Sequence, residues 1–386
     1  MIQVVSSAWA LLLGMCLLMV GNGMQGTLLG IRGGIEGFST LQMSIVMSAY
    51  FVGFLGGSGM IRRVGHVRVF AALASLISAV MILYPTFPNT IVWSLGRVLI
   101  GFCFSAVYVT AESWLNNAAT NENRGQALSA YMIVQTLGIV IAQALLLTAD
   151  PSGFVLFVIP SVLVSIAVTP ILLSISPTPP FGTTKPMSLS TLMETSPLGC
   201  VGMFLLGGVF SAQFGMAAVY GAEAGLSVAQ ISLFVAAFFV GSVILQYPIG
   251  WISDRMDRRS LIVITALIGG AGSMVGMMLG HIFPILLATA FVVGGMSNPL
   301  YSLIMAHTNV FLEQEDMAAA SGGMLFINGL GAVLGPVITG WMMGTALGPG
   351  GFYLFTAVLF AALAGYASYR KTQRAAVPVD ETGNYV

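Results

Sequence analysis

The chain reads as an all-α integral membrane protein with twelve transmembrane helices in two pseudo-symmetric six-helix bundles, and three observations lead there. Charged residues are 7% of the 386 and hydrophobic ones 57%, more apolar surface than a water-soluble chain of this length can hide. A bilayer core about 30 Å thick takes about 20 helical residues, and apolar runs of that order recur along the whole sequence. The third observation is a repeat. Gly250-Trp-Ile-Ser-Asp254-Arg255-Met-Asp257-Arg258-Arg259 is a charged turn between two such runs, and Ser58-Gly-Met-Ile-Arg62-Arg63-Val-Gly65-His66-Val-Arg68 holds the same place about half a chain earlier.

Taken in order, the first six spans fall at residues 9–29, 41–59, 69–87, 91–115, 127–149 and 154–174. The second six fall at 198–220, 231–252, 261–279, 284–311, 319–344 and 352–369. Residues 1–174 therefore form an N-terminal six-helix bundle and 197–370 a C-terminal one. Between them, 175–196 carries Pro177, Pro179, Pro180, Gly182 and Pro186, which do not continue a helix, and reads as a linker. The polar stretch 371–386 reads as a tail. Residues 1–7 lack the basic flank of a cleavable signal, so the first helix is expected to be retained.

Orientation follows from the basic residues. If the spans alternate, Arg62, Arg63, Arg68, Arg124, Lys185, Arg255, Arg258, Arg259, Arg370, Lys371 and Arg374 share one side, Arg32 lies on the other, and Arg97 sits within a span. By the positive-inside rule the crowded side, with both termini and the linker, is cytoplasmic. Net charge is balanced, thirteen Lys and Arg against thirteen Asp and Glu, which leaves no footprint for nucleic acid. Cys16, Cys103 and Cys200 are scattered through apolar runs and fit neither a disulfide pair nor a metal site. No Gly-rich loop ending in Lys-Ser/Thr is present to bind a nucleotide, and no cofactor or metal is expected.

These residues carry a family resemblance. The chain resembles the major facilitator superfamily of transporters from residue 9 to residue 370. The family's loop motif, Gly, three residues, Asp-Arg, one residue, Gly-Arg-Arg, is matched at Gly250, Asp254, Arg255, Arg258 and Arg259, with Asp257 where Gly is usual. The first copy departs from it, with Ser58 for Gly and Arg62 for Asp, while Arg63, Gly65 and Arg68 fit. Arg97, Gly101 and Ala106 are similar to the family's fourth-helix motif, and Asn123-Arg124-Gly125 also fits. Glu112-Ser-Trp114-Leu-Asn116 with Asn298-Pro299-Leu-Tyr301 and His307 resembles the YcaD-like bacterial branch. The resemblance implies a multi-pass protein of a bacterial cytoplasmic (inner) membrane that acts as a monomer. It also implies that Arg63, Arg68, Asp254, Arg255, Arg258 and Arg259 latch the cytoplasmic side in one state of the transport cycle.

The candidate site starts at Arg97, because a cation inside a span costs at least a few kcal/mol unless it is paired or hydrated. It is read either as facing an anionic substrate group or a proton, or as bonded to polar groups of the first helix. At 100° per residue, Tyr108 lies within about 20° of Arg97 on the same helix face, and Glu112 about 60° around and about 22 Å along. Glu112 is therefore a separate candidate, a protonatable gate near the cytoplasmic mouth or a polar group at the helix end. No carboxylate sits in the middle of any span. Neutral amides and a phenol do: Asn22 and Gln25 in span one, Gln135 in five, Gln213 in seven, Gln246 in eight, Asn298 and Tyr301 in ten, Asn328 in eleven. Such groups can bind a polar solute without the desolvation cost of charge, or serve as interhelical glue.

The expected function is secondary active transport of a small organic solute by alternating access, with proton-coupled efflux preferred and a proton or other ion as partner. Proton-linked uptake of a small organic anion through Arg97, with Arg32, is the alternative, and a transporter-like receptor without flux is another. Surrounding lipid is the remaining partner. An intramembrane enzyme would need a convergent dyad deep in the bilayer, whereas His66, His281 and His307 fall at span ends or loops.

Overall fold

A backbone in hydrocarbon has no water to bond, so a chain this apolar satisfies its amides and carbonyls inside helices. The computed structural model describes residues 2–57, 66–118, 124–173, 187–313 and 316–373, and among these the regular structure is helical, without strands. The first half comprises α1 (Ile2–Ile35), α2 (Thr40–Gly57), α3 (His66–Thr86), α4 (Thr90–Ala118), α5 (Arg124–Leu145), α6 (Val155–Ala167) and α7 (Thr169–Leu173). The second comprises α8 (Leu189–Thr195), α9 (Pro197–Ser211), a π-helical turn (Ala212–Met216), α10 (Ala217–Glu223), α11 (Val228–Ser253), α12 (Arg258–Leu279), α13 (Phe283–Asn309), α14 (Met317–Met343) and α15 (Gly350–Gln373).

Among the described residues, eleven helices are long and apolar enough to cross a bilayer, and α5 supplies a shorter apolar stretch, Ser129–Leu145. Three details differ from the expected spans. Span six is broken at Val168, because Pro170 has no N–H to return to Ile166. Span seven is interrupted by the π turn, which opens the backbone ladder around Gln213. Within 175–196, Leu189–Thr195 is helical. Ser188 caps its start by accepting from the Thr191 amide, and Ser196 caps α9 by accepting from Gly199.

The chain separates into two compact units, Met1–Thr183 with Gly225–Ser232, and Thr184–Ala224 with Leu233–Val386. In the first, α1 packs on α5 and α6, α2 on α4, and α3 on α4 and α6. In the second, α9 packs on α14 and α15, and α12 on α13 and α15. There, α11 meets α13 where a Cβ on Gly241 would collide with the Phe291 carbonyl and one on Gly294 with the Phe238 carbonyl. The first unit has the same joint: a Cβ on Gly53 would collide with the Val98 carbonyl and one on Gly101 with the Tyr50 carbonyl. Gly138 against the Cys16 carbonyl, in α5 and α1, corresponds likewise to Gly331 against the Phe204 carbonyl, in α14 and α9. Among the described residues the two units thus share one helix pairing order, and these backbone contacts set their internal register.

Candidate functional site

In the first unit the candidate residues converge on α1, α2 and α4. Arg97 is 3% exposed, and its guanidinium carbon lies 4.6 Å from the centre of the Tyr50 ring. This contact exists because Gly101, one turn on, lets α4 approach the Tyr50 backbone directly. Asn22 of α1 donates to the Tyr50 hydroxyl at 3.4 Å, and Gln25 donates to Asn22 Oδ1 at 3.4 Å. A cation, a ring and two amides therefore form one continuous chain of contacts across three helices.

The chain is not closed. Among the described residues, Arg97 Nε and Gln25 Oε1 are buried without a hydrogen-bond partner, and no carboxylate pairs with Arg97. A cation stacked on a ring keeps part of its electrostatic need met, but the guanidinium fork remains available to a planar anion. Tyr84, whose hydroxyl also lacks a partner, packs against Gly96, the neighbour of Arg97. Tyr108 lies further along α4, donates to Met19 Sδ at 3.0 Å, and stands 6.0 Å from Phe54 and 6.4 Å from Phe104. Glu112, at the end of that face, is exposed. Arg32 is spoken for: it pairs with Glu36 at 2.6 Å and donates to the carbonyls of Pro151 and Ser152, tying the end of α1 to the loop after α5.

In the second unit three of the amides donate to neighbouring helices. Gln213, in the π turn, donates to Ser297 Oγ at 2.7 Å; Gln246 donates to Ser302 Oγ at 3.1 Å; Asn328 donates to the Met203 carbonyl at 3.0 Å. Tyr301 stands 6.1 Å from Phe210, and Asn298 is half-buried. These contacts join neighbouring helices, the role of polar side chains in membrane interiors.

The basic turn of the second unit also has a defined geometry. Asp257, standing where the loop motif has Gly, is the N-cap of α12 and accepts from the amides of Arg259 and Ser260 and from the Ser260 hydroxyl. Partial burial pushes the Asp257 carboxyl up, but the Ser260 hydroxyl, the Arg259 charge and the Arg259 amide outweigh it and hold the group below the usual carboxylate range. Arg258 is buried and donates to the Ala306 carbonyl at the end of α13, while Arg255 lies over Trp251 at 3.9 Å. Arg68 and Asp254 are exposed, and Arg63 lies outside the described residues.

Sequence reasoning missed Tyr50, Tyr84 and Ser297. In an apolar span such residues look like filling. Only the spacing of Tyr50 one turn before Gly53, against Arg97 one turn before Gly101, could have pointed to the pair.

Residues 11–197 and 199–383 match the family described as Major Facilitator Superfamily. The MFS-type transporter YcaD of Salmonella arizonae is 26% identical over 341 residues, covering 86% of this chain and 88% of that protein. The crystal structure of a bacterial homolog to the human lysosomal transporter Spinster, in an inward-facing and occupied conformation, superimposes with a TM-score of 0.79 at 14% identity, covering 97% of both chains. A mutant of the nucleoside transporter NupG gives 0.76 at 14% identity, covering 94% of this chain and 99% of that one. The Escherichia coli fucose:proton symporter FucP gives 0.60 at 15%, covering 94% and 98%.

Proposed function

We propose, for a chain that belongs to the Major Facilitator Superfamily and is therefore a multi-pass membrane transporter of a small solute rather than an enzyme, that it works as a secondary active transporter by alternating access. In this reading residues 1–174 and 197–370 are the two moving bundles, 175–196 the cytoplasmic linker and 371–386 the cytoplasmic tail. The membrane is the bacterial inner membrane, both termini are cytoplasmic, and a monomer is the working unit. Flux is coupled to protons, in the direction of efflux.

The observation that carries the reading is the buried Arg97, stacked on Tyr50, joined through Asn22 to Gln25 and left without a carboxylate. A fold that needed the cation only for packing gains nothing from leaving it unpaired, since an uncompensated buried charge is costly. Asn22, Gln25, Arg97 and Tyr108 are assigned to the solute on this ground. Gln213, Gln246 and Asn328, with internal partners, serve the solute by holding α9, α11, α13 and α14 in register; Asn298 and Tyr301 complete the lining of that bundle. Glu112, exposed at the end of the same α4 face, is the group assigned to proton exchange. FucP, named as a fucose:proton symporter, supports coupling to protons by likeness of fold.

The loop charges Arg63, Arg68, Asp254, Arg255, Arg258 and Arg259 are assigned to the latch that biases the two states. Asp254→Asn is expected to change cysteine labelling from the cytoplasmic side, and unchanged labelling sinks the latch assignment. Direction is tested in proteoliposomes of the full chain. Solute movement opposite to an imposed proton gradient supports efflux; co-movement with protons supports uptake of a small organic anion; and absence of any counterflow removes transport altogether.

A further inference from the structure

The two units differ in what the polar groups around their matching joints still lack, and that difference describes the ligand. In the first unit, Gln25 is 1% exposed; its amide nitrogen is committed to Asn22, and its Oε1 accepts nothing. Asn22 in turn has its nitrogen on Tyr50. The donors of both amides thus run along the chain of contacts toward the ring beneath Arg97. What remains open is a cation with N–H groups to give and a carbonyl with lone pairs to fill. Buried groups left in that condition call for a partner from outside the chain.

We infer that the transported solute is a small organic acid whose carboxylate is held by Arg97 and which also carries an N–H or O–H donated to Gln25 Oε1, so that the polar head is recognised within the N-terminal unit. This deepens, and rests on, the transport reading above. A carboxylate suits the guanidinium fork geometrically, with two parallel N–H donations to two oxygens. The Tyr50 ring fixes the guanidinium plane from one side. Tyr84, with its unpartnered hydroxyl beside Gly96, adds a neutral donor to the same neighbourhood. N-acylated amino acids and 2-hydroxy acids have this arrangement of acid and donor; simple fatty acids, neutral sugars and organic cations do not.

At its matching joint the second unit makes no such demand. Counting from the matched glycine contacts, Ala290 stands where Arg97 stands, four residues before Gly294 as Arg97 is before Gly101, and Phe238 stands where Tyr50 does. Gln213 holds the place of Gln25 and likewise donates its nitrogen, to Ser297, but its oxygen is not buried without a partner as Gln25 Oε1 is. The match extends to Phe210 for Asn22. Specificity for the head is therefore a property of one unit.

The test uses purified full-length protein and matched probes: the N-acetyl derivatives of glycine, leucine and phenylalanine, their methyl esters, and the corresponding acids without the amide. Binding is read by thermal shift and by tryptophan fluorescence. The wild type is expected to bind at least one N-acetyl acid more than ten-fold tighter than its ester, and several-fold tighter than the acid lacking N–H. Arg97→Gln is expected to erase the acid-over-ester preference, with partial rescue by Arg97→Lys. Gln25→Leu is expected to erase only the preference for N–H, and Thr339→Val, at a buried second-unit hydroxyl that bonds only its own helix, neither. Should Arg97→Gln fail to fold, the Gln25→Leu comparison decides alone. The proposal is overturned if no acid of the set binds, if the preferences survive in Arg97→Gln and Gln25→Leu, or if Thr339→Val loses them equally. Counterflow in proteoliposomes is read separately: acid-selective binding with no counterflow refutes transport while the head-group assignment stands, and counterflow of neutral solutes at equal rate in Arg97→Gln refutes the assignment while transport stands.

Discussion

The two units are built on one plan and finished differently. The joints Gly53–Gly101 in one and Gly241–Gly294 in the other bring two helices into backbone contact at matching places. Around the first joint stand Tyr50 and Arg97; around the second, Phe238 and Ala290, both almost fully buried. The Phe238 ring packs 5.0 Å from Phe234 and 6.4 Å from Phe352, in a cluster completed by Tyr220 and Tyr353, whose hydroxyl bonds Thr289. One unit thus spends its joint on a cation with an unpartnered N–H, the other on aromatic packing. Shared backbone geometry fixes where a residue stands; the side chain put there decides whether that place binds or supports.

Putting the cation in the wrong unit breaks the comparison most severely. Ala290→Arg is expected to lower the yield of folded protein, since a charge at a buried span position costs about 3 kcal/mol or more and Phe238 has no hydroxyl to extend a polar chain. Size-exclusion profiles in detergent check this, and a wild-type profile contradicts the match. Next are the joints themselves. Gly101→Ala and Gly294→Ala each force two backbones apart and are expected to cost about 1–3 kcal/mol, seen as similar losses in thermal midpoint; a large effect at one and none at the other breaks the symmetry. Tyr50→Leu is expected to cost about 1–2 kcal/mol through the lost stack on Arg97 and to reduce solute binding. Phe238→Leu is expected to lower stability and leave binding intact.

The smallest effect concerns the turn. Asp257→Ala is expected to cost about 1 kcal/mol of cap stabilisation, and Asp257→Asn much less. Because the folded carboxyl is held below its ordinary value, its charge-dependent stabilisation is fully present above about pH 4, the usual unfolded range, and is lost as pH falls through the lower folded value. Thermal midpoints of wild type and Asp257→Ala measured across acid pH should converge; a constant gap rejects the role of the charge.

Much of this was legible from residues alone. Hydropathy marked the spans because lipid imposes a fixed length on any helix that crosses it, and the duplicated basic turn marked the two halves. Arg97 stood out because charge in a span is rare. What the sequence hid depends on partners distant along the chain. Tyr50 matters only because Arg97 lies over it, and the bonds of Gln213 to Ser297 and of Asn328 to the Met203 carbonyl reach partners far along the chain. The π turn at Ala212–Met216 carries no compositional mark. The break before Pro170 was readable from the proline itself. Asp257 was visible as a departure from the loop motif, and its role as helix cap supplies the reason.

The central claim, that the unpaired Arg97 is the element on which solute recognition turns, is tested most directly by counterflow in proteoliposomes of wild type and Arg97→Ala at equal reconstituted amounts. The account predicts at least a ten-fold loss of flux in a variant that remains monodisperse in detergent. Wild-type flux in Arg97→Ala would contradict it.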